Sequence, residues 1–152
     1  MEVQLPEALL HLLNGQHLED KQHDAMMLQT VTEDGWPHNA MLSVGEVVAL
    51  DNGRLRLALW PGTTTTGNLI RSGRALLVLV HEGTAYYIRL ELQLLPELEQ
   101  AMYPRARFEA AVAAVREDVA KYAELRSGVT FALKEPEAVL PRWRDTLEEL
   151  LR

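Results

Sequence analysis

Four consecutive threonines, Thr63 to Thr66, fall between a strand-ending Trp60-Pro61-Gly62 and a helical Gly67-Asn68-Leu69-Ile70-Arg71. The first N–H groups of a helix lack intrahelical partners and its dipole favours negative charge, so hydroxyls gathered there suit an anion, a phosphate above all. The same residues have a plainer use, in which one threonine caps the helix and the others bond to local backbone. Both readings stand on the residues alone.

Other chemistry-bearing residues form no such group. His11, His17 and His23 lie six apart, so on a helix they would point in different directions, and Gly15 interrupts the helix between the first two. His38 and His81 fall near strand ends. None of the five makes the i, i+4 pair that a helical metal site uses, and no metal is expected. Glu33-Asp34 in a turn, and Glu117-Asp118 and Glu148-Glu149 on expected helices, read as solvated carboxylates. There is no glycine-rich phosphate loop and no nucleophile-elbow serine, so no catalytic residue is identified by motif. The chain has no cysteine, which excludes thiolate chemistry and suits a reducing cytoplasm.

The formal charge is −7. A general nucleic-acid binder needs clustered cations to neutralise phosphates, so that partner class is not expected. Arg105, Arg107, Arg142 and Arg144 form the densest basic group, interleaved with Glu and Asp on expected helices, and read as a solvated face. No charged leader precedes an apolar run, and no stretch approaches the apolar length of a membrane span. A cytoplasmic protein without a membrane partner is expected.

The elements that must carry these residues follow from pattern. Leu5 to Asn14 reads as a short helix, with Pro6 near its start and Asn14-Gly15 as its stop. Asp24 to Thr32 reads as a strand that turns at Asp34-Gly35, and His38 to Leu50 as one long strand or two short ones bent at Gly45. Asp51-Asn52-Gly53 turns into the strand Arg54 to Trp60, and Ser72-Gly73 stops the helix after the threonines. Arg74 to His81 and Thr84 to Leu95 are long strands; Tyr86, Ile88, Leu90, Leu92 and Leu94 share one face of the second. Beyond them, Pro96 and Pro104 sit where helices begin, and Phe108, Ala111, Val112, Val115, Val119 and Tyr122 recur at helical spacing. Ser127 to Leu133 fits one more short strand, and Pro136 or Pro141 opens a last helix with Leu140, Trp143, Leu147, Leu150 and Leu151 on one side. The class is α+β, and its antiparallel strands need barrel closure or a partner to protect their edges.

The order of these features, from the Asp34-Gly35-Trp36-Pro37 turn through Asp51-Asn52-Gly53 to Thr63-x-x-x-x-Asn68-Leu69 and an apolar strand, resembles the pyridoxamine 5'-phosphate oxidase-like family over roughly Met26 to Leu95. The resemblance implies an antiparallel split β-barrel with flanking helices, an intertwined homodimer, and FMN bound between subunits. It implies a single domain over residues 1–152, with the barrel core at about 24–95 and a helical part at about 96–152. Thr63 then stands at the family's phosphate-binding hydroxyl, and Asn68-Leu69 at the end of that motif. Thr64 and Thr65 stand where the family carries Arg or Lys, so Arg71, Arg74 and Arg89 become the candidate substitutes.

Carried over in this way, the cofactor-binding set is Thr63, Thr64, Thr65, Thr66, Asn68, Trp60, His38, Met41 and Arg71. Trp60 and the strand from His38 to Leu42 would flank the ring or ribityl chain, although Trp60 serves equally as barrel packing. His38-Asn39-Ala40-Met41 has no arginine for a phosphorylated substrate, so the chain is not expected to be a true pyridoxamine phosphate oxidase. The expected function is a flavin-dependent oxidoreductase acting on a small molecule. The alternative is a dimeric split-barrel module that has lost FMN or takes another flat cofactor such as haem, with His38 or His81 as its ligand.

Overall fold

The computed structural model describes residues 3–152. Seven strands form one antiparallel sheet: β1 (Ala25–Val31), β2 (Pro37–Ser43), β3 (Val47–Asp51), β4 (Arg54–Leu59), β5 (Arg74–His81), β6 (Thr84–Leu94) and β7 (Ala106–Asp118). Four helices accompany them: α1 (Glu7–Leu12), α2 (Leu18–Lys21), α3 (Thr64–Ser72) and α4 (Pro136–Leu150). Neighbouring strands run in the order β2-β1-β5-β6-β7-β4-β3. The outermost two, β2 and β3, are consecutive in the chain and joined only through Val44, Gly45 and Glu46. The sheet therefore curls until its edges meet at a covalent turn instead of a hydrogen-bonded ladder. This is a split barrel.

Period-2 alternation fills its interior. Leu28, Leu55, Leu57, Leu77, Ile88 and Phe108 are each 0 % exposed, and each such side chain contributes about 1.5–3 kcal/mol by leaving water. α1 seals one side through Leu9 and Leu12, joined by its C-cap Leu13, whose carbonyl accepts from the Ala49 amide. α4 lays Trp143, Leu147 and Leu150 against β3 and β4. Gly45 is required here because a β-carbon on it would stand 2.1 Å from Cγ of Trp143. The Gly45 bend expected from sequence is therefore a turn between two strands, built around an indole.

The C-terminal third differs from expectation. The helical spacing expected from Phe108 is overturned: Phe108 to Val115 lie in a 13-residue strand, β7, between β6 and β4, and Val119 and Tyr122 are exposed beyond its end. Phe108, Ala110 and Val112 also satisfy a period of two, and all three are buried. The alanine-rich sequence favours a helix locally, but β6 and β4 would each lose a full ladder of partners without β7, and the tertiary pairing wins. An extra residue at Ala113 bulges opposite Arg89 and Leu90, shifting the register. The sheet thus extends beyond Leu95, and no helix begins at Pro96 or Pro104. Ser127 to Leu133 contributes one bridge, Asp24 with Thr130, not a strand. Pro136, not Pro141, opens α4. Leu151 lies past its end and is exposed.

Candidate functional site

Trp60 leaves β4 and the chain turns at Gly62, whose φ of 76° suits a residue without a side chain. Thr63 then caps α3: its hydroxyl oxygen accepts from the Thr66 amide at 3.1 Å. The Thr66 hydroxyl donates to the Trp60 carbonyl at 2.7 Å, closing the loop on itself. Thr65 and Thr66 are buried, as is Asn68, whose amide donates to the Thr30 hydroxyl at 3.0 Å. Arg71 donates to the Asn68 side-chain oxygen at 3.2 Å and to the Val31 carbonyl. Gly73, at φ 67°, ends the helix with its amide on the Leu69 carbonyl. Both sequence readings of the threonine run meet here, and capping accounts for Thr63 and Thr66 in full.

What remains available lies along one face of α3. Thr64, Gly67, Asn68 and Arg71 form one wall of an open groove, and Thr32, Glu33 and Asp34 form the other. The acidic lip opposes an anion. A second groove continues from it at Val31 and Ser72, along the outer face of the sheet, past Gln29, Arg74, Leu76 and Arg89. Cross-strand pairing sets Arg89 opposite Leu76 and Arg74 opposite Glu91. Arg71, Arg74 and Arg89 are all exposed, and among the described residues none has a carboxylate within ion-pair distance.

The remaining sequence candidates scatter. His38 pairs with Thr30 and Met41 with Met27, so an odd spacing sends the two side chains to opposite faces of β2. Met41 is 52 % exposed on the outer face. His81 ends β5, beside the start of the antiparallel β1, whereas His38 lies at the other end of β1. The two histidines therefore occupy opposite ends of the barrel. Trp60 is 63 % exposed, with the Arg105 guanidinium 3.6 Å above its ring, so barrel packing does not describe it.

No family model matches the chain. It is 50 % identical over 148 residues to the uncharacterized protein YclD of Bacillus subtilis (strain 168), covering 97 % of this chain and 96 % of YclD. The chain belongs to the YclD family. Among solved structures it is similar to HupZ of Group A Streptococcus, with a TM-score of 0.53, 16 % identity, and coverage of 76 % of this chain and 94 % of that one. A pyridoxamine 5'-phosphate oxidase candidate from Lactobacillus delbrueckii gives 0.53 at 20 % identity over 75 % and 92 % of the two chains. The fold of this YclD relative is thus the pyridoxamine 5'-phosphate oxidase-like split barrel.

Three charged groups in this YclD-family chain escaped the sequence reading. Arg105 and Arg107 are not on a solvated helix face. Arg105 directly precedes β7 and Arg107 is its second residue, bonded to the end of α4 and only 9 % exposed. Burial lowers the pKa of both guanidinium groups from the ordinary arginine value. Glu46, in the β2–β3 turn, accepts from the Ser43 hydroxyl at 2.9 Å, and burial raises its carboxyl above the ordinary value. The one available signal was Arg107 itself, directly before the core Phe108 in an otherwise apolar alternation.

Proposed function

We propose that the protein is an FMN-binding, flavin-dependent oxidoreductase that works as a homodimer on a small-molecule substrate. The observation that carries this reading is the trio of exposed arginines on two adjoining grooves beside α3, none with a carboxylate within ion-pair distance among the described residues. The resemblance implies a phosphate beside α3, and the arginine set would supply the charge that Thr64 and Thr65 do not. The threonine hydroxyls fit the group less well, because Thr63 and Thr66 are engaged in the cap. Arg71, Arg74 and Arg89 are the residues that would hold the phosphate, with Thr64 lining the same groove as Arg71 at the other end of α3. FMN bound there would supply hydride chemistry, with the protein contributing orientation and hydrogen bonds. Solved structures of the same fold include one described as an F420 reductase (TM-score 0.50, 14 % identity), which agrees with the reading.

The second groove lies on the outer sheet face that also presents Met27, Val31 and Met41, and a second copy is the proposed cover for that face. Among the described residues no helix is long and apolar enough to cross a membrane. Together with the absence of cysteine, this supports a cytoplasmic assignment.

Purified protein is expected to be yellow, to release FMN on denaturation, and to gain about 2.7 kcal/mol of stability at FMN a hundredfold above Kd. Arg89→Ala is expected to weaken FMN by about ten- to a hundredfold, the worth of a hydrogen bond to a charged group. A colourless protein whose thermal midpoint ignores added FMN would overturn the reading.

One observation favours a second reading, a dimeric barrel module without flavin or with haem. The hydroxyls of Thr63 and Thr66 and the amide of Asn68 are already satisfied within the chain. A red protein whose Soret band disappears in His38→Ala or His81→Ala would establish it.

A further inference from the structure

A third depression, a partly open cavity of about 340 Å3, lies on the face of α3 turned away from the two grooves. Thr66 and Ile70, four residues apart, face this cavity, whereas Thr64, Gly67, Asn68 and Arg71 face the first groove. Its apolar wall comes from Ile70 on α3, Ala58 on β4, Leu94 at the end of β6 and Leu98 beyond it. The last turn of α4 closes the opposite side.

Two cations stand in this wall. Arg107 donates to the Pro96 carbonyl at 3.2 Å and to the Leu150 carbonyl at 3.3 Å, while its buried Nε has no partner. Arg105 donates to its neighbour's carbonyl and stacks on Trp60. Among the described residues neither arginine has a carboxylate within ion-pair distance. Glu149 also lines the cavity; it accepts the amides of Met102 at 2.6 Å and Tyr103 at 3.3 Å, and its charge favours both guanidinium groups from beyond ion-pair distance. Glu97 lies exposed at the rim.

Buried charges are normally paired, because an unpaired one forfeits its hydration. A purely structural role explains part of Arg107: its two terminal nitrogens tie the end of α4 to the segment at Pro96, where carbonyl ends favour a cation. It does not explain the unpartnered Nε, the second unpaired arginine or the space between them. The Nε is enclosed by protein, but an anion in the space would pair the two guanidinium groups from their accessible side. The space is at the small end for ligand sites and is mostly apolar, so the anion carries a compact apolar body.

We propose that this cavity binds a small organic acid, its carboxylate held by Arg105 and Arg107 and its hydrocarbon part against Ile70, Leu94 and Leu98. The site is independent of the flavin reading, since α3 separates the two.

Isothermal titration of the full chain with hexanoate tests it, alongside hexanamide as the uncharged isostere and inorganic phosphate as the bare anion. Hexanoate is expected to bind one per chain and to shift the Arg107 Nε–Hε resonance. Hexanamide and phosphate are each expected to bind at least about tenfold more weakly, as loss of a charge-assisted contact or of the apolar contact implies. Arg105→Ala, on the half-buried arginine, should weaken hexanoate by a similar factor. Ala101→Trp fills the cavity from its loop wall, away from the sheet, and should abolish binding without moving the unfolding midpoint. No saturable hexanoate binding, equal binding of hexanamide or phosphate, or undiminished binding to Ala101→Trp would each overturn the assignment.

Discussion

Four identical threonines occupy four different environments, and that difference decides what each can do. Thr63 caps α3, Thr66 is bonded back to Trp60, Thr65 is buried and Thr64 is exposed on a groove. Thr63→Ala is expected to cost about 1 kcal/mol of folding stability by chemical denaturation, and Thr63→Ser close to nothing, as for other helix caps. Of the two positions where the resemblance implies a cation, Thr64 and Thr65, only the exposed Thr64 has room for one. Thr64→Arg is therefore expected to tighten FMN by about tenfold or more, and Thr65→Arg to destabilise the fold by burying a charge. Equal FMN affinity in Thr64→Arg and the parent would remove the phosphate from this groove. Burial is what a sequence cannot assign within a run of one residue type. The position of the loop was legible, but the division of labour inside it was not.

A single carboxylate adds a pH dependence at the same scale. Burial raises the Glu46 carboxyl above its ordinary value of 4.5, against the opposing hydrogen bonds from Ser43 and the charge of Arg105. A group with a higher pKa folded than unfolded binds more protons when folded. Its contribution is complete below the ordinary value and is lost as pH rises through the folded one. Glu46→Gln keeps an acceptor for Ser43 and should remove that loss, so the variant's urea midpoint gains on the parent's as pH climbs from 4.5 towards neutrality. A difference that stays constant across that range would show that Glu46 does not titrate in it.

At the scale of elements, strands β1 to β6 and helices α1, α3 and α4 follow from alternation, turn residues and caps. These are signals carried within each segment. β7 does not, because Glu109 to Glu117 satisfies helical and strand periods together and only the unpaired flanks of β6 and β4 decide between them. Arg105 and Arg107 were misread for the same reason: placed on a helix they face water, but at the head of a strand under α4 they are covered. The β2–β3 turn shows the converse, a bend legible from a glycine whose real constraint comes from a distant indole. Gly45→Ala puts its β-carbon within 2.1–2.5 Å of three Trp143 ring atoms and is expected to cost about 1–3 kcal/mol or more, the usual penalty of overpacking. In a double-mutant cycle with Trp143→Leu the two losses should be strongly non-additive, because the smaller side chain relieves the clash. Additive urea-denaturation losses would mean that the glycine serves the backbone alone.

For the whole molecule, the split barrel leaves one sheet face unused by its own core. Met27 pairs with Met41 on that face and with Val78 on the next strand, while Val31 and Met41 are each 52 % exposed. These apolar side chains, with the polar pair Gln29 and Asn39 between Met27–Met41 and Val31–Pro37, suit a mixed interface between two copies. The groove carrying Arg74 and Arg89 opens onto the same face, so a second copy would cover the apolar strip and wall the groove together. The 17.1 kDa chain is accordingly expected to elute at twice its mass in light scattering. Met41→Asp, which adds a charge at an exposed position without touching the barrel interior, should return it to a single chain that remains folded. FMN titration of that monomer then separates two arrangements. If affinity falls along with dimerisation, the partner completes the groove; if affinity is unchanged, one chain holds the phosphate by itself. A parent protein that already runs as a monomer would leave the Met27–Met41 strip without the proposed partner.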